Sequence, residues 1–293
     1  FGESTTVDSY AFEVSTFGAP QAGFAAPSFQ TDADPALVIY EILTGSFGKL
    51  NIPAAQIDLA SFAAASVTLA AEGHGYSMAH YGNESARAII QNITAQINGV
   101  LYIDSVTGLI RLKLIRNDYT FGSIPVFDET NVVRIDSYVI PSWQSVLNQV
   151  RVQFSNRAQD YKEDVAVAQN QANAVGQNGV SRSTTLRYPG VTDPYLAGKI
   201  AQRELAVVGT PVSRIKFTCN RDGYTLRPGD AIRINLPTGY QLSDQVFRVA
   251  SVDLGQLFDN KVTVDAVLDV FNLGGEGQID QPPDITYEPV EPG

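Results

Sequence analysis

Cysteine, methionine and tryptophan each occur once, as Cys219, Met78 and Trp143, and histidine occurs twice, as His74 and His80. A lone thiol excludes an internal disulfide and any cysteine-rich zinc site. Cys219 ends the alternating run Ile215, Phe217, Cys219, so it is expected to be a small buried apolar residue and not a reactive thiol. No apolar run reaches the roughly 18 residues that a membrane-crossing helix needs. Charged residues make up only 17% of the chain, and 20 basic against 31 acidic side chains leave a net charge of −11. With no basic block, the chain lacks the clustered Lys and Arg that displace counterions from phosphates, which excludes a nucleic-acid grip. The opening residues do not have the pattern of a secretory signal. The chain opens on Phe1 while its methionine is Met78, so residue 1 is expected not to be the translational start, and the sequence to be part of a longer protein.

What is present suffices for real cores: 293 residues, 44% hydrophobic, predict two or three domains. Residues 1–32 read as the end of an upstream domain, with a β-like run from Thr5 to Phe17, followed by a Gly/Ala/Pro/Ser linker from Gly18 to Ser28. Residues 33–131 read as an α+β domain of three helices and a hairpin. Asp34 caps the first helix and Pro35 suits its first position, where a missing N–H costs nothing. Leu37, Val38, Tyr40 and Ile42 form its apolar stripe, and Gly45 and Gly48 end it. A second helix follows Pro53, carries Ile57, Leu59 and Phe62, and stops at Glu72-Gly73. The third is capped by Asn83, carries Ala86, Ile89, Ile90, Ile93 and Ile97, and stops at Gly99. Val100 to Ile103 and Leu109 to Ile115 then predict a hairpin.

From Val132 the period changes to two, and residues 132–272 read as a β-rich unit, a barrel or sandwich with one packed helix. Strands are expected at Gln149 to Asn156, Thr184 to Tyr188, Val212 to Cys219, Ala231 to Leu236, Val246 to Leu254 and Lys261 to Phe271. The helix begins at Asp193-Pro194 and shows Ala197, Ile200, Ala201, Leu205 and Val208 on one face. Leu226-Arg227-Pro228-Gly229-Asp230 has the composition of a tight turn. The Gln- and Asn-rich segment from Arg157 to Val180 reads as a long loop or poorly packed arm, and residues 273–293 as an extended acidic linker.

Chemistry is hard to find. His74 and His80 lack the i, i+4 spacing of a helical metal site, so loop or interface histidines are expected. Gly75-Tyr76-Ser77-Met78-Ala79 lacks the second glycine and the preceding strand of a nucleophile elbow. Gly73-His74-Gly75 follows a helix and not a strand, unlike a dinucleotide loop. Acidic pairs such as Asp128 with Glu129, or Glu163 with Asp164, read as solvated surface. Trp143 reads as a wedge between domains rather than a sugar platform. No catalytic, cofactor-binding or metal-binding residue is assigned, and the chain is expected not to be an enzyme and to need no cofactor.

Several ordered stretches resemble the proteins that form the hub or tip of long bacteriophage tails. This family includes the lambda-type tip attachment protein and its relatives in long-tailed phages and gene transfer agents. The carrying stretches are Asp34 to Thr44, Gly48 to Phe62, Ile97 to Tyr102, Gly108 to Asp118, Asn148 to Val152, Ala201 to Leu205, Leu226 to Asp230 and Asp269 to Phe271. The Gln/Asn-rich arm and the short N-terminal portion depart from the family's pattern. The resemblance implies a homotrimeric virion component, made in the host cytoplasm, that caps the tail tube. Its implied partners are the distal tail or tube protein, the tape measure protein, and fibres or receptor-binding proteins. Residues 132–272 would be the tube-like wall and residues 33–118 an outer domain. DNA would pass without specific binding, and part of the −11 charge would line the lumen and repel phosphate. Two other functions remain open at this stage. One is a receptor-binding module using loop aromatics such as Tyr76, Tyr81, Tyr119 and Phe121; the other is a tail-associated cell-wall hydrolase.

Overall fold

The computed structural model describes residues 24, 32–45, 50–78, 84–143, 146–256 and 258–272. The strand expected at Thr5 to Phe17, nearly all of the Gly18 to Ser28 linker, Gly48, His80, Tyr81, Asn83 and the acidic C-terminal stretch lie outside these residues.

The chain is α+β, with a β-rich second half. Helix α1 (Pro35–Thr44) begins where expected: the Asp34 carboxylate accepts from the Ala36 N–H at 2.8 Å, and Gly45 closes the helix at φ 104°. Its buried core residues are Ala36, Ile39, Tyr40, Ile42 and Leu43, so Tyr40 and Ile42 are buried as expected while Leu37 and Val38 are only partly buried. Ser66 donates to the other Asp34 oxygen, which pins the cap to the second helix. That helix, α2 (Leu59–Glu72), starts later than Pro53, because a single 3₁₀ turn (Ala54–Gln56) comes first and Asp58 provides the cap. Helix α3 (Ala86–Ile97) is capped by Ser85, whose Oγ accepts from the Ala88 N–H; this corrects the assignment to Asn83. Its i, i+3, i+4, i+7 positions Ile90, Ile93 and Ile97 are buried. The hairpin of β1 (Gly99–Ile103) and β2 (Ile110–Leu114) closes this unit, and Leu112 and Leu114 complete its core with Phe62 and Leu69.

The six-stranded sheet is open and curled, in the order β3-β9-β10-β11-β8-β4. Its strands are β3 (Val126–Asp128), β4 (Val132–Val139), β8 (Arg214–Cys219), β9 (Ala231–Leu236), β10 (Leu242–Asp253) and β11 (Val262–Leu268). Only β3 with β9 is parallel. Period-two burial brings Phe127, Phe217, Ile232, Phe247 and Val264 together, with Cys219 fully buried among them as its alternation predicts. Tyr119 and Ile124 pack on Ala231 and Val246, so the segment before β3 already lies against this sheet.

A second, three-stranded sheet is inserted between the neighbouring strands β4 and β8. It has the order β6-β5-β7, from β5 (Gln149–Asn156), β6 (Lys162–Gln169) and β7 (Ser183–Arg187). The arm expected to be unstructured is therefore ordered: β6 pairs with β5 along its whole length, and a short helix α4 (Gln171–Gly176) follows. Helix α5 (Pro194–Val208) packs on this small sheet rather than on the large one. Leu196, Ala197, Ile200 and Ala201 meet Val150, Val152 and Phe154 in a third core.

Phe217 sits at 0% exposure in the middle of the large sheet's core, stacked against Phe127 at 5.4 Å between ring centroids. Phe217→Ala is expected to cost about 3–5 kcal/mol, the range for a large core deletion. Urea unfolding checks this; a loss below about 1 kcal/mol would show that the core collapses onto the cavity.

Candidate functional site

The groups flagged in the sequence as capable of chemistry do not converge. His74 is 3% exposed at the end of α2, and Tyr76 is buried and donates toward Met78, so Tyr76 is a core residue and not a loop aromatic. Asp128 and Glu129 sit in the β3–β4 turn, where Asp128 accepts from the Thr130 N–H and hydroxyl. Glu163 and Asp164 open β6, and Asp164 accepts from Asn156. Trp143 is 61% exposed, which corrects the expectation of a buried wedge. Among the described residues no group of three or more His, Cys, Asp or Glu is placed to hold a metal ion.

What the fold does bring together is charge, along two seams where the three cores meet. The first joins the hairpin of the helical unit to the large sheet. Asp104, with a fully buried side chain, takes Arg111 at 3.2 Å from its own unit and Arg227 at 3.0 Å from the turn before β9. Burial alone would push the Asp104 carboxyl up, yet the Val106 N–H and Arg227 together hold it below the usual range. Lys113 Nζ lies 2.6 Å from Asp230, whose other oxygen accepts from the Arg227 N–H and shapes the turn. Gly229 takes φ 85° there, a conformation that favours glycine, and a Cβ would fall 2.9 Å from Ile115 Cδ1 and require that side chain to shift.

Arg248 on β10 is the centre of this seam. Its guanidinium reaches Asp269 at 2.9 Å, Asp118 at 3.3 Å, the Gly229 carbonyl at 3.1 Å and the Arg116 carbonyl at 2.8 Å, and it lies over the Tyr119 ring. Arg116 in turn makes a two-pronged pair with Glu72 at 2.6 and 2.8 Å, and donates to Ile97 O at the end of α3. Five donors in a planar fork suit arginine and not lysine for such a junction. A cleft lined by Lys113, Asp118, Tyr119, Asp230 and Arg248 opens along it, and its charged groups are already paired with one another.

The second seam joins the helical unit to the inserted sheet. Gln96 is fully buried, and its carbonyl takes both the Arg203 guanidinium at 2.9 Å and His74 Nε2 at 3.2 Å. Arg157 and Thr192 both bind Asp32. The Ser77 N–H donates to Gly190 O, where a Cβ would fall 2.2 Å from the Tyr76 ring. Burial, and then the Arg203 cation, hold the His74 imidazole neutral, with a pKa lowered from 6.5 to about 4.

Nothing in these seams is a nucleophile with a base. They are locks: paired groups, several of whose partners lie over a hundred residues apart, such as Lys113 with Asp230 and Arg227 with Asp104. Sequence reasoning assigned none of them as pairs. Part of them, among them Lys113, Arg203, Arg227, Asp230 and Asp269, falls in stretches that carry the family resemblance, whereas Asp104, Gln96 and Arg248 lie outside those stretches.

A family model described as "Putative phage tail protein" matches residues 85–252, more than half of the chain. No curated protein sequence matches it. Among solved structures, a chain from the virion of a native gene transfer agent particle superposes with a TM-score of 0.58 at 16% identity. That match covers 83% of this chain and 49% of the other, so this chain spans about half of that relative's length. A tail protein from Neisseria meningitidis MC58 aligns at 13% identity and a TM-score of 0.46, covering 67% of this chain and 59% of its own. The 43 kDa tail protein of prophage MuSo2 from Shewanella oneidensis aligns at 14% identity and a TM-score of 0.40, covering 66% and 55%.

Two outcomes test the seams. Arg248→Met strands Asp269, 3% exposed, without its cation, and is expected to cost about 3–5 kcal/mol in urea unfolding. The double variant Arg248→Met/Asp269→Leu should recover much of that; an equal loss in both would contradict a pairing role. For His74, the unfolded chain takes up a proton as pH falls below 6.5 that the folded chain refuses until about 4. Its contribution is therefore complete above 6.5 and is lost on acidification through that window, by roughly 3 kcal/mol at full extent. His74→Gln should remove this step from the pH profile of the urea midpoint, and an unchanged profile would rule the step out.

Proposed function

This chain belongs to that family of phage tail proteins, and from this premise we propose that it serves as a hub at the tip of a tail. It is a structural component of the tail. In the hub proposal, copies assemble into a ring, taken as a homotrimer, that caps the tail tube. The ring links the distal tail or tube protein and the tape measure protein to fibres or receptor-binding parts beyond. The β-rich residues 132–272 form the wall of the passage, and residues 33–118 stand outside it, with 119–131 joining the wall through β3.

The observation that carries the proposal is the pair of seams. Three separate cores are joined by paired charges, some of them buried, the construction of a part that transmits position and not of a site that turns over substrate. The chain's −11 balance disfavours capture of DNA, but the acidic excess lies outside the wall segment, since residues 132–272 hold 15 basic and 13 acidic side chains. No reaction centre is assigned, and the chain is proposed to act without enzymatic activity or cofactor.

Immunogold labelling of purified particles with antibody to this chain should decorate one end of the tail. Label along the tube or on the head would overturn the hub proposal. Purified protein should also leave duplex DNA unretarded in a low-salt gel, and salt-sensitive retardation would contradict passage without binding.

A further inference from the structure

The topology sets two unlike exposed surfaces at opposite ends of the six-stranded sheet. β4 runs from Val132 to Val139 and β8 returns beside it from Arg214 to Cys219, so residues 140–213 leave and re-enter at one end. The β3–β4 turn, the 221–225 turn and the β10–β11 turn all lie at the other end, around the Val132, Cys219 and Val262 register.

On the inserted sheet, α5 covers one face and the other is open. Val165 and Val167 are 41% and 54% exposed there, in register with Gln153 and Arg151, and Arg187 stands across Gln153 on β7. The hydrogen bonds of these two arginines go to amide oxygens, Arg151 to Gln149 and Arg187 to Gln153. All 31 acidic residues of the chain lie outside segments 137–159 and 165–192, and Glu163, at a corner opposite Ser155, is the acid on that face. The far end is its counterpart. Phe258 is 94% exposed and Tyr224 48%, and Glu129, Asp222, Asp253 and Asp259 are exposed in the same three turns, against Arg221 and Lys261.

We infer that these surfaces are the two halves of one contact between copies of this chain, the Phe258 end of one copy resting on the Val165–Val167 face of the next. An exposed aromatic end with more carboxylates than cations complements, in apolar character and in sign, a β-branched row flanked by two arginines. Because the halves are different and sit at opposite ends of the sheet, the contact is head-to-tail. Repeated in one direction, it closes into a ring or runs on as a filament. Covering Arg151 and Arg187 also removes two cations from any surface that DNA would meet. The inference deepens the proposed self-assembly and rests on it.

The test uses full-length protein with single cysteines introduced as Val167→Cys or Phe258→Cys; native Cys219 is buried and stays silent. The variants are oxidised separately and as an equal mixture, at low and high salt, alongside sedimentation of the unmodified chain. The expected result is a disulfide-linked dimer from the mixture alone, diminishing at 1 M salt, where the Debye length falls to about 3 Å. Val167–Val167 or Phe258–Phe258 products would overturn the head-to-tail assignment while leaving self-assembly standing. Sedimenting oligomers without any cross-link would place the contact elsewhere and overturn this assignment as well. A chain that stays monomeric and gives no cross-link would overturn both this contact and the self-assembly on which it rests.

Discussion

The buried guanidinium of Arg248 is the constraint on which the arrangement of the units depends. An arginine at 8% exposure is tolerable only if each donor finds an acceptor, because an unpaired buried charge costs several kcal/mol. Its acceptors come from three separate stretches of chain: Arg116 and Asp118 after the hairpin, Gly229 in the turn before β9, and Asp269 after β11. The group can be satisfied only when the helical unit, the turn and the end of the large sheet are all in place. Apolar cores alone would leave the units free to slide, since the hydrophobic effect has no direction; the fork of an arginine does.

The magnitude of that lock should not be mistaken for stability gained. Replacing a buried ion pair with well-packed hydrophobic groups is often neutral or favourable, so what the seam contributes is a unique geometry. A tail component needs this more than it needs depth of folding. In the proposed ring, small angular errors at one subunit would otherwise accumulate. The second seam acts in the same way at a different junction, with Gln96 O shared between Arg203 and His74.

The insertion between β4 and β8 has a consequence of its own. It leaves two neighbouring strands hydrogen-bonded while placing a whole α/β unit at one end of the sheet. The acidic and aromatic turns are thereby confined to the opposite end. A chain with unlike ends is polar, and polarity of this kind favours cyclic or helical assembly over two-fold pairing.

Local periodicity determined most of the elements. Asp34-Pro35, the isoleucines of α3, the alternation through Cys219 and the face of α5 each place an element near its observed position, because burial of one face imposes periods of 3.6 or two on the residues themselves. It failed in the Gln/Asn-rich arm. There β6 buries only Ala166 and Ala168, residues too small to show as a stripe, and gains its order from pairing with β5. At α1 it was half right: Tyr40 and Ile42 are buried, but Ile39 and Leu43 complete the core in place of Leu37 and Val38. The composition determined that the chain is acidic and poor in metal-binding and redox side chains. Which charges meet was decided by tertiary structure alone: Lys113 and Asp230, or Arg227 and Asp104, share no period and no neighbourhood along the chain. An ion pair depends on distance in space, and only the packing of the three cores sets that distance.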